Sequence, residues 1–379
     1  MRFFITIIIL LLINNCSFDN KSGIWKNENE LSNEENKEFS SFEKLSLETK
    51  MFDEIIELKP NYKFNLTNAI SPNSWTDIYY DKDNNLKNFK YSDLNKLIYK
   101  TKKLSKRDIS KNILYKNGKI VSSDSKGNII IFSLEKNIVD GKYNFYKKRY
   151  KKIKKKLNII IEKNIIYVSD NIGFIYAINI NTQAIVWAKN FKVPFRSNLK
   201  IYENKLIAAN QNNNLFFINK KNGNIVKNIP TEETQVQNEF INNLSISGEL
   251  LFFLNTYGTI YSLNVNSMKI LWFLNLNQSL DISVSNLFFG STVVANKRKL
   301  VVSSKDNTYI LDNLSGSIIF KKNFSVATRP ILVNQHLFLI TNNNLLVSID
   351  TQKVEIVYSY DINKKVAEFF NTKKKKNRL

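Results

Sequence analysis

The sequence predicts an all-β chain folded as a propeller of seven or eight four-stranded blades. Three observations carry that expectation: the stretch Ile165 to Trp187 spells three short strands joined by two tight turns, variants of it recur, and the recurrences are spaced as propeller blades are. Within the stretch, Ile165 to Ser169 is an apolar, β-branched run that ends at Asp170-Asn171. Gly173 stands where a turn needs positive φ, Phe174 to Ile178 is the next strand, and Asn181-Thr182-Gln183 turns the chain into Ala184 to Trp187. One such meander cannot bury both of its faces alone, so it needs neighbours of its own kind.

The neighbours are legible. Aligned on Ala177 to Trp187, four later segments share one template: Phe217 to Lys227, Ser262 to Trp272, Ile310 to Phe320 and Ser348 to Tyr358. Each has an apolar position, Asn or Asp at the third place (Asn179, Asn219, Asn264, Asp312, Asp350), a polar turn, an apolar pair and a final residue that is large in four of the five. Their end points are separated by 40, 45, 48 and 38 residues. Each is preceded by its own hairpin: Asn158 to Val168, Lys200 to Ala208, Leu244 to Leu254, Val293 to Ser303 and Ile331 to Thr341. A degenerate sixth copy runs from Asn112 through Gly118 and Gly127 to Leu134, its fourth strand expected within the Lys-rich segment Lys142 to Lys156. The third-place Asn or Asp is expected to accept backbone hydrogen bonds in its turn, and the final large residue to pack between blades.

The flanks read differently. Arg2, the apolar run Phe3 to Ile13 and the lone Cys16 resemble a bacterial lipoprotein signal, in which the cysteine thiol is lipidated and becomes the first mature residue. The run is too short to span a bilayer. Asn15 departs from the small residue that usually precedes the cysteine, and an ordinary signal peptide with an incidental Cys16 is the alternative. Ser17 after the cysteine favours the outer membrane. The expected organisation is a signal peptide over 1–15, a tether and irregular lead-in over 16–93, the propeller over 94–370 and a basic tail over 371–379. Within the lead-in, Phe42 to Leu58 reads as a short amphipathic helix or an extended segment laid along the body. Leu97 to Lys100 reads as the first strand, and Lys365 to Phe370 as a last strand that seals the ring.

Composition narrows the function. A chain of 379 residues with 43% hydrophobic and 12% aromatic content buries a large core. The formal charge of +23 comes mostly from Lys spread among abundant Asn and Ile, and no helix-turn-helix, zinc-finger spacing or RNA-binding aromatic motif accompanies it. Nucleic acid is therefore not an expected partner. His336 is the only histidine, read as an exposed turn residue, and Cys16 the only cysteine, so no His-based triad and no multi-His or multi-Cys metal site can be built. The turn glycines are isolated and form no phosphate loop.

Gly173-Phe174-Ile175-Tyr176-Ala177-Ile178-Asn179, followed by Thr182 and Trp187, resembles the repeat of β-propellers named after pyrroloquinoline-quinone enzymes, with Gln183 where that pattern has Gly. Gly258 to Asn264 with Trp272 is the next best match. Behind a lipoprotein signal, such repeats resemble the BamB family of outer-membrane β-barrel assembly lipoproteins. That resemblance implies a non-enzymatic scaffold that uses no cofactor or metal, held at the periplasmic face of the outer membrane as one copy within a complex. It also implies a partner, the POTRA domains of a BamA-like barrel-forming subunit, bound through inter-blade loops where a Leu-x-Leu-Arg motif matters. Val193-Pro194-Phe195-Arg196 has that form, which nominates Val193, Phe195 and Arg196, while Arg329 in a comparable connection allows a packing role instead. Two alternatives stand beside it: a periplasmic propeller that binds an anionic surface or polymer through Lys142 to Lys156 and Lys373 to Arg378, and a quinone-dependent dehydrogenase relative.

Overall fold

A computed structural model of the chain describes residues 16–18, 25–27, 51–91, 97, 99–233, 242–277, 288 and 290–376. They fall into two compact units, Met1–Lys50 and Met51–Leu379. In the first, the described residues form an antiparallel pair, β1 (Cys16–Phe18) and β2 (Trp25–Asn27), with Cys16 opposite Asn27. The expected signal peptide lies outside the described residues.

The second unit is an all-β propeller with six four-stranded antiparallel sheets among the described residues, where seven or eight were expected. Blade 1 comprises β3 (Leu114–Lys116), β4 (Lys119–Ser123), β5 (Asn128–Ser133) and β6 (Ile138–Asn144). Blade 2 comprises β7 (Leu157–Glu162), β8 (Ile165–Asp170), β9 (Phe174–Asn179) and β10 (Ile185–Asn190). Blade 3 follows with β11 (Lys200–Tyr202), β12 (Lys205–Ala209), β13 (Leu215–Asn219) and β14 (Ile225–Ile229), and blade 4 with β15 (Asn243–Ser247), β16 (Leu250–Leu254), β17 (Thr259–Asn264) and β18 (Lys269–Asn275). Blade 5 is β19 (Val294–Ala295), β20 (Lys299–Ser303), β21 (Thr308–Asp312) and β22 (Ile318–Lys322). Blade 6 is β23 (Ile331–Val333), β24 (His336–Ile340), β25 (Leu345–Asp350) and β26 (Glu355–Asp361), and the helix α1 (Ile362–Lys376) leaves it.

Five hydrophobic clusters hold the blades in sequence, each shared by two successive sheets. Val121 and Ile131 meet Ile159 and Ile166 between blades 1 and 2, and Ile175 and Trp187 meet Leu206 and Ile218 between blades 2 and 3. The series continues with Phe217 against Phe253, Phe252 against Leu300, and Ile310 against Leu337. Because β9 is sandwiched between two such cores, it buries four consecutive residues, Ile175 to Ile178, rather than alternating. The outward faces of the two end blades are covered by irregular chain: Phe64 packs on His336 and Tyr358 of blade 6, and Tyr99 on Phe132 of blade 1.

The repeat template has a geometric meaning. Asn179 Oδ1 accepts the Asn181 and Thr182 amides, and Asp350 Oδ1 those of Gln352 and Lys353, as the turn reading expects. Four residues after each third-place Asn or Asp the backbone is left-handed, at Gln183, Gly223, Met268, Gly316 and Val354, and in blade 1 so is Asn137, four residues after Ser133. In all six blades the third and fourth strands then slip register by a bulge, as between Ile185 and Trp187. The bulge makes the apolar pair consecutive, exposes Val186 and turns Trp187 into the inter-blade core.

Three local expectations give way, and a fourth resolves between its alternatives. The last strand of blade 1 is Ile138–Asn144, earlier than expected, and Lys148–Tyr150 is a single 3-10 turn. Leu97, Tyr99 and Lys100 are not in a strand, and Leu97 is 79% exposed. Lys365 to Phe370 is helical rather than a closing strand. Its apolar residues at 362, 366, 369 and 370 follow helical spacing, and Asp361 Oδ1 caps the start by accepting the Asn363 and Lys364 amides. Of the stretch Phe42 to Leu58, the described part from Met51 is extended: Phe52 is buried against Phe324, and Ile56 bridges Ser359.

Candidate functional site

The nominated connection joins β10 to β11. The Phe195 amide donates to the Asp170 carbonyl at 2.9 Å, and the Gln211 amide to the Pro194 carbonyl at 2.7 Å, so the connection is pinned between the β8–β9 and β12–β13 turns. The Phe195 ring is buried, edge-on to Phe191 at 5.1 Å and to Phe216 at 6.0 Å. Val193 and Arg196 are half-buried, with Arg196 Nη2 donating to Gln211 Oε1 at 3.0 Å. The three residues are thus adjacent but unequal: Val193 and Arg196 offer surface, and Phe195 anchors the loop. Arg329 behaves differently from Arg196, because it turns toward the propeller centre, donates to the Tyr79 carbonyl at 2.7 Å and lies over the Tyr79 ring.

The centre itself is filled by chain that the sequence marks only as irregular. Between Trp75 and Asn85 it meets the innermost strand of every blade in order. Trp75 pairs with Tyr115 of β3, and the Thr76 carbonyl accepts from Ile161 of β7. Asp77 and the Asp81 carbonyl take the ammonium of Lys200 on β11, at 2.6 and 3.0 Å. The Lys82 carbonyl accepts from Ile246 of β15, and that of Asp83 from Ala295 of β19. Asn85 exchanges two hydrogen bonds with Leu332 of β23, at 2.7 and 2.9 Å. Asn84 Nδ2 ties β15 to the start of β19 through the Leu244 and Val293 carbonyls, both at 2.8 Å. Lys200 is fully buried; burial lowers its pKa and Asp77 pulls it back up, so the pair is mutually dependent. No sequence signal found these residues: Asp77 to Asn85 falls in the stretch that reads as an irregular lead-in, and Lys200 reads only as the start of a hairpin.

At the opposite end of the blades from Val193 to Arg196, a cavity of about 980 Å3 opens over this segment, lined by Lys82, Lys87, Gly248, Lys297, Arg298 and Gln335 among others. Lys87 bridges Asp81 and Asp83 on its floor at 3.1 and 3.3 Å. Burial raises both carboxyls. For Asp81 the Lys82 amide and the Lys87 ammonium outweigh it and the pKa falls; for Asp83 burial wins and the pKa rises.

His336 is not the exposed turn residue expected. It begins β24 and is fully buried, its Nε2 accepting the Asn65 amide at 3.3 Å and its Nδ1 facing the Tyr62 hydroxyl at 3.5 Å. The Tyr62 hydroxyl donates to Asp350 Oδ2 at 3.1 Å. Among the described residues no group of three or more His, Cys, Asp or Glu is arranged to hold a metal ion, and no helix is long and apolar enough to cross a membrane.

A family model described as the outer membrane protein assembly factor BamB matches residues 153–360, more than half of the chain. The chain belongs to the BamB family. The BamB match takes in blades 2 to 6 and the connection Val193 to Arg196. Among solved structures, BamB from Moraxella catarrhalis is similar, with 12% identity and a TM-score of 0.55 over 65% of this chain and 74% of that one. A computationally designed protein, Ika8, is similar at 11% identity and a TM-score of 0.50, over 66% of this chain and 73% of its own. At such identities these likenesses speak for the propeller fold alone. Among curated proteins none matches the chain.

Proposed function

We propose that this chain is a non-enzymatic scaffold of outer-membrane β-barrel assembly, docking on the periplasmic POTRA domains of a BamA-like subunit. Residues 1–15 direct secretion, Cys16 carries the lipid anchor at the periplasmic face of the outer membrane, and Val193 and Arg196 touch the partner from a loop anchored by Phe195. The observation that carries the reading is the BamB family match over 153–360, which contains that connection. The centre accords with it: residues 75–85 hydrogen-bond the innermost strands, and the buried ion pair there joins strand to segment. Arg196→Glu reverses the charge at a half-buried position of the proposed surface. It should abolish co-purification of the barrel-forming subunit from membranes and leave the β-sheet spectrum intact; recovery at wild-type levels would remove Arg196 from the interface.

A further inference from the structure

The helix α1 follows the last blade and carries an apolar stripe that the described residues leave largely exposed. At 3.6 residues per turn, Ile362, Val366, Phe369 and Phe370 share one face roughly 100° wide. With Leu346 and Tyr360 they line an open apolar groove of about 390 Å3. Yet Val366, Phe369 and Phe370 stay 47%, 64% and 57% exposed. The rest of the helix is polar and basic: its 15 residues contain six Lys and one Glu, and that Glu368 is taken by Lys365 at 3.2 Å. Exposed phenylalanines disfavour water, and a helix so rich in lysine disfavours burial in an ordinary protein core. An anionic lipid surface satisfies both, because the phenylalanines enter the acyl boundary while the ammonium groups meet phosphate.

We propose that α1 is an interfacial helix that lays Val366, Phe369 and Phe370 into an anionic lipid surface. Such a helix rests on the bilayer rather than crossing it, since 15 residues of helix reach roughly 22 Å against a hydrocarbon core of about 30 Å. The inference does not rest on the barrel-assembly reading and fails separately from it.

The test uses the full chain carrying Cys16→Ser, so that no attached lipid supplies the affinity, with co-sedimentation on vesicles of phosphatidylcholine alone or with about 30% phosphatidylglycerol. Binding is expected on the anionic vesicles only, weakened by salt, and at least roughly tenfold weaker for Phe369→Ser with Phe370→Ser. Both positions face solvent, so the variant keeps its fold, which circular dichroism checks. Phe369→Trp should shift its emission to the blue on binding. Equal binding to neutral vesicles, or undiminished binding by the double variant, overturns the proposal, the latter passing the role to another basic segment. An absence of vesicle binding with a discrete protein adduct from a photo-crosslinking side chain at position 369 overturns it in favour of a protein partner.

Discussion

Gln183 of blade 2 fills the space that Gly141 of blade 1 leaves open, and its Nε2 donates to the Asp140 carbonyl at 2.9 Å. Gly141 stands at the place of Trp187 and Trp272 in the other blades, while Gln183 stands at the place of Gly223 and Gly316. Two other junctions have the reverse pairing: Trp187 lies over Gly223 and donates Nε1 to the Lys220 carbonyl at 2.9 Å, and Trp272 lies over Gly316 and donates to that of Asn313 at 3.2 Å. Large against small is kept and only the side changes, which explains why Gln183 replaces the glycine of the repeat pattern.

Gly223→Ala follows from that junction. The added Cβ would lie 2.4 Å from the Trp187 ring at φ +75°, so overpacking and left-handed strain should together cost about 2–4 kcal/mol in urea unfolding. Gly248→Ala, at φ +61° with nothing within 4 Å, should cost only the strain, about 1–2 kcal/mol. Equal losses at the two sites would show that the tryptophan is not a wall.

Lys200→Met should be among the most damaging single changes, since it leaves the Asp77 carboxylate buried with its cation gone. A loss of roughly 3–5 kcal/mol is expected. Adding Asp77→Asn should restore a large part of it, a coupling that a double-mutant cycle measures. Additive losses would mean that the pair does not act as a unit.

Burial holds the His336 pKa below its usual value, with Asp350 opposing. The folded chain therefore binds this proton less readily than the unfolded chain, and the linked stability is present above the unfolded pKa of about 6.5 and declines as pH falls through it toward the lower folded value. Protonation also places a hydrogen on Nε2 where it accepts from Asn65. The melting temperature should drop between about pH 7.5 and 5.5, and His336→Gln should flatten part of that slope. An unchanged slope in the variant assigns the dependence to other groups.

Removing 362–379 should shift stability by no more than about 0.5 kcal/mol, because the exposed helix completes no sheet. Asn85→Ala deletes both hydrogen bonds to Leu332 from a buried place and should cost about 1–3 kcal/mol. Thermal melts of the two variants separate a closing strand from a central segment.

The blades were legible because each repeats a local code: a turn-capping Asn179 or Asp350, a left-handed residue four places on, and a bulge that sends Trp187 inward. The centre was not, because Asp77, Asn84 and Asn85 act through one or two hydrogen bonds each to residues up to 247 positions away and carry no periodicity. His336 misled for the same reason, since its burial comes from Tyr62 and Phe64, far upstream. Of the nominated site, the loop's position between two blades was readable, but the burial of Phe195 was not: the aromatic partners Phe191 and Phe216 meet only in the fold.

Direct binding tests the central claim. Purified chain titrated calorimetrically into the isolated POTRA domains of the barrel-forming subunit should give saturable one-to-one binding that Arg196→Glu abolishes, with its melting temperature unchanged. No binding by the wild-type chain, with both proteins folded, would contradict the scaffold role.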